Sequence, residues 1–538
     1  MTPEHVPFQS EQMADDTDFH AELIHGLLRP EAWPEPVGEI QPIETHISTV
    51  LLAGDFAYKI KKPLDLGFLD FSTLERRKHF CEEEIRLNGR LAPHIYLGVT
   101  PVTGTAKQPH MDGEGPVIDY AVKMRRFPPD ALLSRHPGLL SPERMEEIAR
   151  IVADFHQRIA VAGPAEGYGT PTAVLAPMLE NFRQIDSLLD DAEELARLAR
   201  LEAWTRDRHK ALQDALARRL GGGFIRECHG DMHLGNIALV DGKILIFDGI
   251  EFAPGLRWID TVSEIAFLTM DLEEKGRPDL AWLFLSRYLD CTGDYEGLAL
   301  LRFYQAYRAM VRAKVSIIRL GQPALTPAQK EAVLADYRAY VTQAEGYTRT
   351  PRPALIINHG LSGSGKSTVT APLLGGLSAV QIRSDVERKR LAGLPARAHT
   401  RSGLCRGLYS PRASDETYEH LKQLAETIIE AGHTAIVDAT FLKQARRRAF
   451  RDLAGRLGVP FLILDFQAPE ELLRARIDRR LAEGADPSEA NPEVLAAQLA
   501  SQEALTGSER KVALAITPDH IPDVGEIKQR LVLRANPG

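Results

Sequence analysis

The segment GLSGSGKST, residues 360–368 of the 538-residue sequence, carries the clearest chemical signal. Gly360, Gly365, Lys366 and Ser367 fill the pattern GxxxxGK followed by a hydroxyl residue. Glycines at these places let successive backbone N–H groups turn towards phosphate oxygens, and the N-terminus of the following helix adds its dipole. Lys366 is predicted to reach the β- and γ-phosphates of a nucleotide, and Ser367 to ligate Mg²⁺. The predicted nucleotide-binding residues are Gly360, Ser362, Gly363, Ser364, Gly365, Lys366, Ser367 and Thr368.

Three later segments supply side chains that would act beside a bound phosphate. In IRSDVERKR, Asp385 and Arg388 lie one helical turn apart, and a carboxylate at the carboxyl end of a strand is placed to accept a hydroxyl proton. Asp438 ends the strand TAIVDAT and is predicted to organise Mg²⁺ or the substrate, with a turn or helix-capping aspartate as the alternative. A helix over RARIDRRLAEG would bring guanidinium groups onto the transferring phosphoryl, unless it is a solvated helix face. Its arginines are Arg474, Arg476, Arg479 and Arg480.

At these residues, the sequence from 351 to 538 resembles the small P-loop kinases that include polynucleotide 5′-hydroxyl kinases, gluconate kinases, zeta toxins and chloramphenicol phosphotransferases. The resemblance implies transfer of a phosphoryl group from ATP or a related nucleotide to an alcohol. It also implies that Asp385 is the general base and that Arg388 orients the substrate. The implied lid arginine is one of Arg476, Arg479 and Arg480.

A basic stretch lies between Arg388 and Tyr418. Arginine forks pair with phosphate through two hydrogen bonds, so this stretch indicates an anionic acceptor such as an RNA end, a nucleotide or a sugar phosphate. Its residues are Lys389, Arg390, Arg397, Arg401, Arg406 and Arg412, with His399 and Tyr409 among them.

A second constellation lies in CHGDMHLGNIALVDGKILIFDGIEF, residues 228–252. It places a carboxylate, an amide five residues later and another carboxylate twelve residues after that, across a short hairpin. Protein-kinase-like phosphotransferases arrange a base and Mg²⁺ ligands in this way. Asp231 is therefore predicted to orient and deprotonate a hydroxyl group, while Asn236 and Asp248 hold the metal.

With its upstream region, this motif resembles the aminoglycoside phosphotransferase and choline kinase group over roughly residues 40–343. The resemblance implies a strand lysine that contacts nucleotide phosphates and pairs with a helix glutamate. Lys59 is the preferred lysine, Lys61 shares its strand face, and Glu84 is the chosen partner among three successive glutamates. Asp260 is implied to brace the catalytic loop. The family of folds does not fix the substrate.

Two further observations bear on this site. His229 and His233 have an HxxxH spacing, which offers zinc binding as an alternative, but no glutamate lies between them. No GxGxxG nucleotide loop is found in the upstream region, where Gly54 lies in a predicted hairpin.

The elements that position these residues define the predicted fold. An α+β bilobal protein-kinase-like domain is followed by an α/β P-loop NTPase domain with a parallel sheet, since strands and helices alternate after the proline-bearing segment 343–353. The predicted parts are a tail and short helix (1–39), a kinase-like domain (40–345, with an N-lobe at 40–127 and a C-lobe at 128–345) and a P-loop kinase domain (351–538). The tail is predicted to reach about Asp18, before a helix from about Phe19.

Composition sets the remaining limits. With 44% hydrophobic and 26% charged residues, the chain falls outside the disordered and collagen-like classes. Residues 351–538 contain 26 Lys and Arg against 22 Asp and Glu, whereas the other 350 contain 39 against 52, so the C-terminal part is better suited to anions. Four separated cysteines and the lack of a long apolar run predict a cytoplasmic protein without a membrane partner. The oligomeric state is not indicated.

The predicted function is a Mg²⁺- and ATP- or GTP-dependent phosphotransferase acting on a hydroxyl group, with two active sites. Two alternatives remain open: one active domain with the other as a substrate platform, and a nucleotide-dependent regulatory or nucleic-acid-binding module that transfers no phosphoryl group.

Overall fold

The structure is a computed structural model that describes residues 8–65, 67, 69–321, 325–395, 410–483 and 491–535. Its first part contains two helices and one antiparallel sheet with the strand order β1-β2-β3-β6-β4-β5. The elements are α1 (Phe8–Leu27), β1 (Gln41–Glu44), β2 (Ser48–Ala53), β3 (Phe56–Lys61), α2 (Leu74–Asn88), β4 (Tyr96–Thr105), β5 (Gln108–Met111) and β6 (Val117–Arg125).

Helix α1 begins at Phe8, so the polar tail predicted to reach Asp18 is wrong in its second half. The C-terminal turns of α1 bury Leu23 and Leu27 in an apolar cluster with Leu51 of the sheet. This packing stabilises the helix, because an isolated helix gains little from its own hydrogen bonds.

The buried side of α2 includes charged residues as well as apolar ones. Among Phe80, Ile85 and Leu87, only Leu87 is fully buried. Arg77 and Glu84 of this helix are buried because each has an oppositely charged partner: Arg77 pairs with Asp119, and Glu84 pairs with Lys61. Helix α2 therefore carries the Glu84 carboxylate into the interior.

The middle of the chain is mainly helical, with four short strands. The elements are α3 (Pro142–Arg158), α4 (Pro171–Asp186), α5 (Ala192–Gly221), β7 (Ile225–Glu227), β8 (Ile237–Val240), β9 (Lys243–Ile246), α6 (Pro254–Arg257) and β10 (Trp258–Asp260). Strands β8 and β9 form the predicted hairpin. Its turn residues Asp241 and Gly242 both have positive φ, which is why an Asp-Gly pair stands there.

Four longer helices follow: α7 (Thr261–Glu274), α8 (Pro278–Thr292), α9 (Leu298–Ile318) and α10 (Pro327–Thr348). Helices α4, α5, α7, α9 and α10 contribute to a common apolar core. Representative buried residues are Phe182, Leu201, Phe267, Met310 and Tyr337.

The C-terminal part alternates strands with helices. The elements are β11 (Leu355–His359), α11 (Lys366–Thr370), α12 (Leu374–Leu377), β12 (Ala379–Arg383), α13 (Ser384–Leu391), α14 (Pro411–Glu430), β13 (Thr434–Asp438), α15 (Gln444–Leu457), β14 (Phe461–Phe466), α16 (Glu470–Glu483), α17 (Pro492–Ser501), α18 (Gly507–Arg510), β15 (Ala513–Ile516) and α19 (Val524–Ala535). The strand order is β12-β13-β11-β14-β15, and every pairing is parallel, which confirms the predicted sheet. The central strand β11 leads into the glycine-rich segment.

Two compact units are distinguished by their internal packing. The first consists of Met1–Leu139, Ile159–Gly169 and Gly223–Glu264, and the second of Leu140–Arg158, Thr170–Gly222 and Ile265–Gly538. The second unit combines the helical part of the middle region with the whole parallel sheet. The division into domains at 345 and 351 therefore stays a prediction from sequence. Within the described residues, no helix combines the length and apolarity needed to cross a membrane.

Candidate active sites

The first site is built around two buried lysines of β3, both in the first compact unit. Lys59 Nζ donates to Glu84 Oε1 at 2.9 Å and to Asp248 Oδ1 at 2.7 Å. Lys61 Nζ donates to Glu84 Oε2 at 2.7 Å and also bonds Glu251. The two lysines lie on one face of β3 because strand side chains alternate with a period of two. Sequence analysis predicted the Lys59–Glu84 pair, and it missed Glu251.

The lysines and carboxylates of this network shift one another's pKa values. Burial on its own raises the pKa of Glu84, but the ammonium groups of Lys59 and Lys61 hold it below its ordinary value. Burial lowers the pKa of Lys61, yet the carboxylates of Glu251 and Glu84 outweigh that effect and raise it. Both lysines are therefore charged at neutral pH. Lys59 is the one next to a solvent-accessible group, since the side chain of Asp248 is 48% exposed.

The segment containing Asp231 forms a tight turn stabilised by its own side chains. Asn236 Nδ2 donates to Asp231 Oδ2 and to the Asp231 carbonyl oxygen, both at 3.0 Å. His233 Nε2 lies 3.4 Å from Asp231 Oδ2. The Asp231 carboxylate keeps a side-chain exposure of 35%, so it is accessible to a substrate hydroxyl. The structure thus brings Asp231 and Asn236 together as predicted.

His229 supports this turn from the inside. Its Nε2 lies 2.9 Å from the Phe247 carbonyl oxygen, which only accepts, so Nε2 carries the proton and Nδ1 accepts the Asp231 N–H at 3.3 Å. Burial lowers the pKa of His229, which keeps the ring neutral. Because both ring nitrogens are engaged, His229 is not arranged as a zinc ligand.

Glu264 was not anticipated from the sequence, and it also supports the turn. Its carboxylate accepts the N–H groups of His229 and Gly230 at 3.1 and 2.6 Å. Asp260, to which the bracing role was assigned, accepts the Val262 N–H at 2.9 Å and is buried. No signal in the sequence marks this role, because α7 also contains Asp271, Glu273 and Glu274.

The donors in this site fit Mg²⁺, which prefers oxygen ligands. Asn236 directs its NH₂ group to Asp231, so its carbonyl oxygen is left as a candidate ligand. Asp248 has φ +61, a left-handed conformation in which its backbone N–H donates to the Tyr96 hydroxyl at 3.1 Å. The next N–H, of Gly249, donates to Asn88 Oδ1 at 2.7 Å, and Asn88 belongs to the same helix as Glu84.

The second site lies after β11, in the second compact unit. Gly360 has φ +145, and a Cβ atom there would lie 2.7 Å from the Phe466 carbonyl oxygen. Gly363 has φ +82, and its Cβ would lie 2.9 Å from the Leu473 carbonyl oxygen. These positions therefore require glycine. Lys366 Nζ donates to the carbonyl oxygens of Gly360 and Leu361 at 3.1 and 2.8 Å.

Asp438 lies beside Ser367, as the Mg²⁺ prediction requires. Ser367 Oγ donates to Asp438 Oδ2 at 2.6 Å, and Asn358 Nδ2 lies 3.3 Å from Asp438 Oδ1. A hydroxyl and a carboxylate in contact are oxygen donors of the kind that suits Mg²⁺. Gln381 also donates to Asp438, at 3.1 Å. Sequence analysis missed Gln381 and Asn358, since buried amides on strands give no pattern.

A cavity of about 870 Å³ joins these residues to the predicted base. It is lined by the glycine-rich segment from Ser362 to Thr368, by Asp438, and by Asp385 and Arg388. Arg388 Nη1 lies 3.6 Å from Asp385 Oδ1. Seven basic and two acidic side chains line the cavity, which suits a polyphosphate. The basic residues are Lys366, Arg383, Arg388, Lys443, Arg446, Arg476 and Arg479.

Arg476 of the lid helix contacts the glycine-rich segment: its Nη1 donates to the Gly363 carbonyl oxygen at 3.3 Å. Arg479 also lines the cavity, whereas Arg474 pairs with Glu470 at 2.6 Å on an exposed helix face. The side chain of Arg480 lies outside the described residues. Another unpredicted contact is Gln498, which accepts the Ser362 N–H at 2.9 Å.

The basic stretch is only partly available to a ligand. Lys389 is buried, and Arg390 pairs with Glu387 at 2.9 Å and donates to the Asp290 carbonyl oxygen at 2.7 Å. The prediction that these two residues receive an acceptor is therefore wrong, because both take part in internal packing. Arg412 is exposed and pairs with Glu416. The members that lie outside the described residues are Arg397, His399, Arg401, Arg406 and Tyr409.

Comparison with known proteins assigns a family to each of two parts of the chain. A sequence model of the phosphotransferase enzyme family matches residues 74–301, and a model described as an AAA domain matches residues 355–505. With the fold and the site residues, these matches define a protein of the kinase class, in which an aminoglycoside phosphotransferase-like domain precedes a P-loop kinase domain.

The particular family is given by relatives that match most of the chain. Uncharacterized protein Rv2004c of Mycobacterium tuberculosis H37Rv is 32% identical over 461 residues, which cover 85% of this chain and 89% of that protein. Uncharacterized protein Mb2027c of Mycobacterium bovis has the same identity and coverage. The chain belongs to the family that these relatives represent.

Two solved structures resemble parts of the chain. A choline/ethanolamine kinase family protein from Mesorhizobium loti is 13% identical, with a TM-score of 0.34, and covers 63% of this chain and 99% of that chain. A gluconokinase from Sinorhizobium meliloti is 19% identical, with a TM-score of 0.24, and covers 35% of this chain and 93% of that chain.

Proposed function

We propose that this protein is a bifunctional phosphotransferase, in which each site transfers the γ-phosphoryl group of ATP or GTP to a hydroxyl group. The observation that carries the proposal is the shared cavity in which Lys366, Ser367 and Asp438 lie with Asp385 and Arg388. A nucleotide switch needs the first three residues alone. A carboxylate and an arginine on the other side of the same cavity are what a phosphoryl acceptor would require.

In the P-loop site, Ser367 and Asp438 would hold Mg²⁺, which when bound neutralises charge on the β- and γ-phosphates. Lys366 would exchange its two carbonyl partners for phosphate oxygens. Asp385 would accept the proton of the acceptor hydroxyl, and Arg388 would orient that group. Arg476 would donate to the transferring phosphoryl, where negative charge develops.

In the first site, Asp231 would orient the acceptor hydroxyl and remove its proton. Its carboxylate is fixed by Asn236, and the loop beneath it is fixed by Glu264. Lys59 would donate to nucleotide phosphates, with Glu84 holding its ammonium group in place. Asn236 and Asp248 would hold Mg²⁺. Catalysis by such a site consists mainly of positioning and charge neutralisation.

The acceptor of the P-loop site is proposed to be anionic, either a small molecule or a nucleotide or RNA end. The support is the composition of the cavity lining, in which seven basic side chains stand against two acidic ones and favour an anionic ligand. Arg446 at this cavity lies 4.1 Å from the Tyr418 ring centroid, which offers a flat cationic surface.

The test is a transfer assay with γ-³²P-labelled ATP or GTP and a panel of sugars, amino alcohols, nucleosides, nucleotides and RNA 5′ ends. The proposal predicts a labelled hydroxyl product that depends on Mg²⁺. If the pure protein hydrolyses nucleotide but labels no member of the panel, a regulatory nucleotide switch becomes the better description. Product from one class of acceptor, lost with a single site variant, would indicate one active domain and one platform.

A further inference from the structure

Gln381 is a fully buried polar residue of β12 and lies between the P-loop site and helix α8. Its Nε2 donates to Asp438 Oδ2 at 3.1 Å. Its Oε1 accepts from Arg287 Nη2 of α8 at 3.1 Å, and its backbone N–H donates to the Ser286 hydroxyl at 3.1 Å. All of these residues belong to the second compact unit. One side chain thus connects an arginine before residue 351 to the predicted metal carboxylate.

The functional groups determine which atoms donate and which accept in the side-chain hydrogen bonds of Gln381. A guanidinium group has five N–H donors and no acceptor, so only the carbonyl oxygen of Gln381 is stable next to Arg287. The NH₂ group of the amide must then face Asp438, where a carboxylate accepts. Without Arg287, the Asp438 carboxylate would still favour this orientation, but the buried Gln381 carbonyl oxygen would lose its donor, and the amide would be held at its NH₂ end alone.

Arg287 is itself held in place. Its Nε donates to Glu146 Oε1 at 3.0 Å and its Nη1 to Asp290 Oδ2 at 3.0 Å, and its side chain is 10% exposed. These two carboxylates accept from separate nitrogens of the guanidinium group and hold it next to the parallel sheet. A buried guanidinium with satisfied partners keeps a precise position.

The helix that carries Asp385 is tied to the same region. The Tyr295 hydroxyl donates to Glu387 Oε1 at 3.1 Å, and Arg390 Nη2 donates to the Leu289 and Asp290 carbonyl oxygens at 3.2 and 2.7 Å. Glu387 is fully buried in α13, two residues after Asp385. The metal carboxylate and the predicted base are therefore both supported by residues 286–295.

We infer that Arg287 is a positioning residue of the P-loop site, acting through Gln381 on Asp438. The P-loop site is thus completed by a helix that the sequence assigns to the preceding kinase-like domain. The inference rests on the proposed function of the P-loop site. It predicts that Arg287 sets the response of that site to Mg²⁺, although it touches neither the metal nor the nucleotide.

The test compares Arg287→Met, Gln381→Met and the double variant in the full chain. The measured quantity is ADP affinity as a function of Mg²⁺ concentration, obtained by calorimetry without any turnover. Each single variant is expected to raise the Mg²⁺ concentration for half-maximal response about fivefold or more, and to leave ADP affinity in EDTA unchanged. The double variant should show no larger shift than either single variant, because both interrupt one connection.

Arg197→Met is the matched control. Arg197 also joins two helices of the second unit through carboxylates, with a similar side-chain exposure of 15%, but its partners Glu194 and Glu345 do not contact the site. It should lower the melting temperature without changing the Mg²⁺ response. Arg287→Lys keeps a charged donor and should retain part of the wild-type Mg²⁺ response. This variant replaces Arg287→Met in the test if Arg287→Met does not fold.

The possible outcomes distinguish the role of Arg287 from the proposed function of the P-loop site. If Arg287→Met and Gln381→Met respond to Mg²⁺ as the wild-type protein does, the inference about Arg287 is wrong. The proposed function of the P-loop site is unaffected by that result. A Mg²⁺ shift equal to that of Arg197→Met also overturns the inference about Arg287. Failure of the wild-type protein to bind nucleotide with Mg²⁺ overturns the assignment of the P-loop site and this inference with it.

Discussion

Lys59 Nζ lies 2.7 Å from Asp248 Oδ1, although the two residues are 189 positions apart in the sequence. This ion pair joins β3 to the loop that follows β9, and Glu84 of α2 binds the same ammonium group at 2.9 Å. Three separate elements therefore meet at the point where a nucleotide phosphate and its metal would be held. The first site is assembled by this contact, and it is where the two buried lysines acquire different roles.

Lys59→Met and Lys61→Met are predicted to have different effects. Lys59→Met removes the donor beside the exposed Asp248, and should lower kcat/KM for the nucleotide in the first-site reaction about 100-fold or more. Lys61→Met leaves Glu251 buried without its partner, and should lower stability by about 3–5 kcal/mol. Steady-state kinetics and melting temperatures check the two effects. A larger loss of kcat/KM in Lys61→Met would reverse the assignment.

Asp438→Asn tests the P-loop metal site. The amide keeps the shape of the side chain but loses the negative charge that Ser367 and Gln381 both donate to. Activity at the P-loop site should fall about 100-fold, and more Mg²⁺ should be needed, because charge neutralisation at the phosphates is weakened. Nucleotide binding in EDTA is expected to stay within twofold of wild type. An unchanged Mg²⁺ requirement would contradict the role of Asp438.

Arg476→Ala and Arg474→Ala separate a lid arginine from a surface arginine on one helix. Arg476 is within reach of the Gly363 carbonyl oxygen, whereas Arg474 forms an exposed pair with Glu470. Arg476→Ala should reduce kcat at the P-loop site about 100-fold, with a smaller change in nucleotide KM. Arg474→Ala should change neither, because exposed pairs contribute about 0–1 kcal/mol. Equal kinetic losses in both variants would point to a general effect on the helix.

His433 gives a pH prediction for stability. Burial lowers its pKa from 6.5 to about 4, so the folded protein keeps the ring neutral where the unfolded chain takes up a proton. Stability should therefore fall as the pH drops below 6.5, by about 1.4 kcal/mol per pH unit, until the penalty levels off near pH 4. His433→Phe keeps a ring next to Trp282 and should show a shallower decline of melting temperature between pH 6.5 and 5. Parallel pH profiles for the two proteins would contradict this.

The sequence predicted the structure best where the spacing of nearby residues determines the local geometry. The glycine-rich segment, the Asp241–Gly242 hairpin and the lysines at positions 59 and 61 all have local patterns that the structure reproduces. The alternation of strands and helices likewise predicted the parallel sheet, because parallel strands need crossover helices.

The remainder depends on partners that are distant in the sequence. Glu264, Gln381 and Glu251 contribute through contacts with residues between about 34 and 190 positions away, and their own neighbours carry no signal of this. For the same reason Lys389 and Arg390 were predicted as ligand-binding residues, although they pack inside the second unit. Charge in a sequence does not reveal whether a partner is a ligand or another part of the chain.

The presence of two independent phosphotransferase sites is tested most directly by comparing labelled products of wild type, Asp231→Ala and Lys366→Ala with γ-³²P nucleotide and the acceptor panel. Asp231→Ala removes the predicted base of the first site, and Lys366→Ala removes the phosphate-binding lysine of the second. The account predicts that each variant loses a different subset of the wild-type products and keeps the other. An unchanged product profile in both variants, or loss of the same products in both, would contradict it.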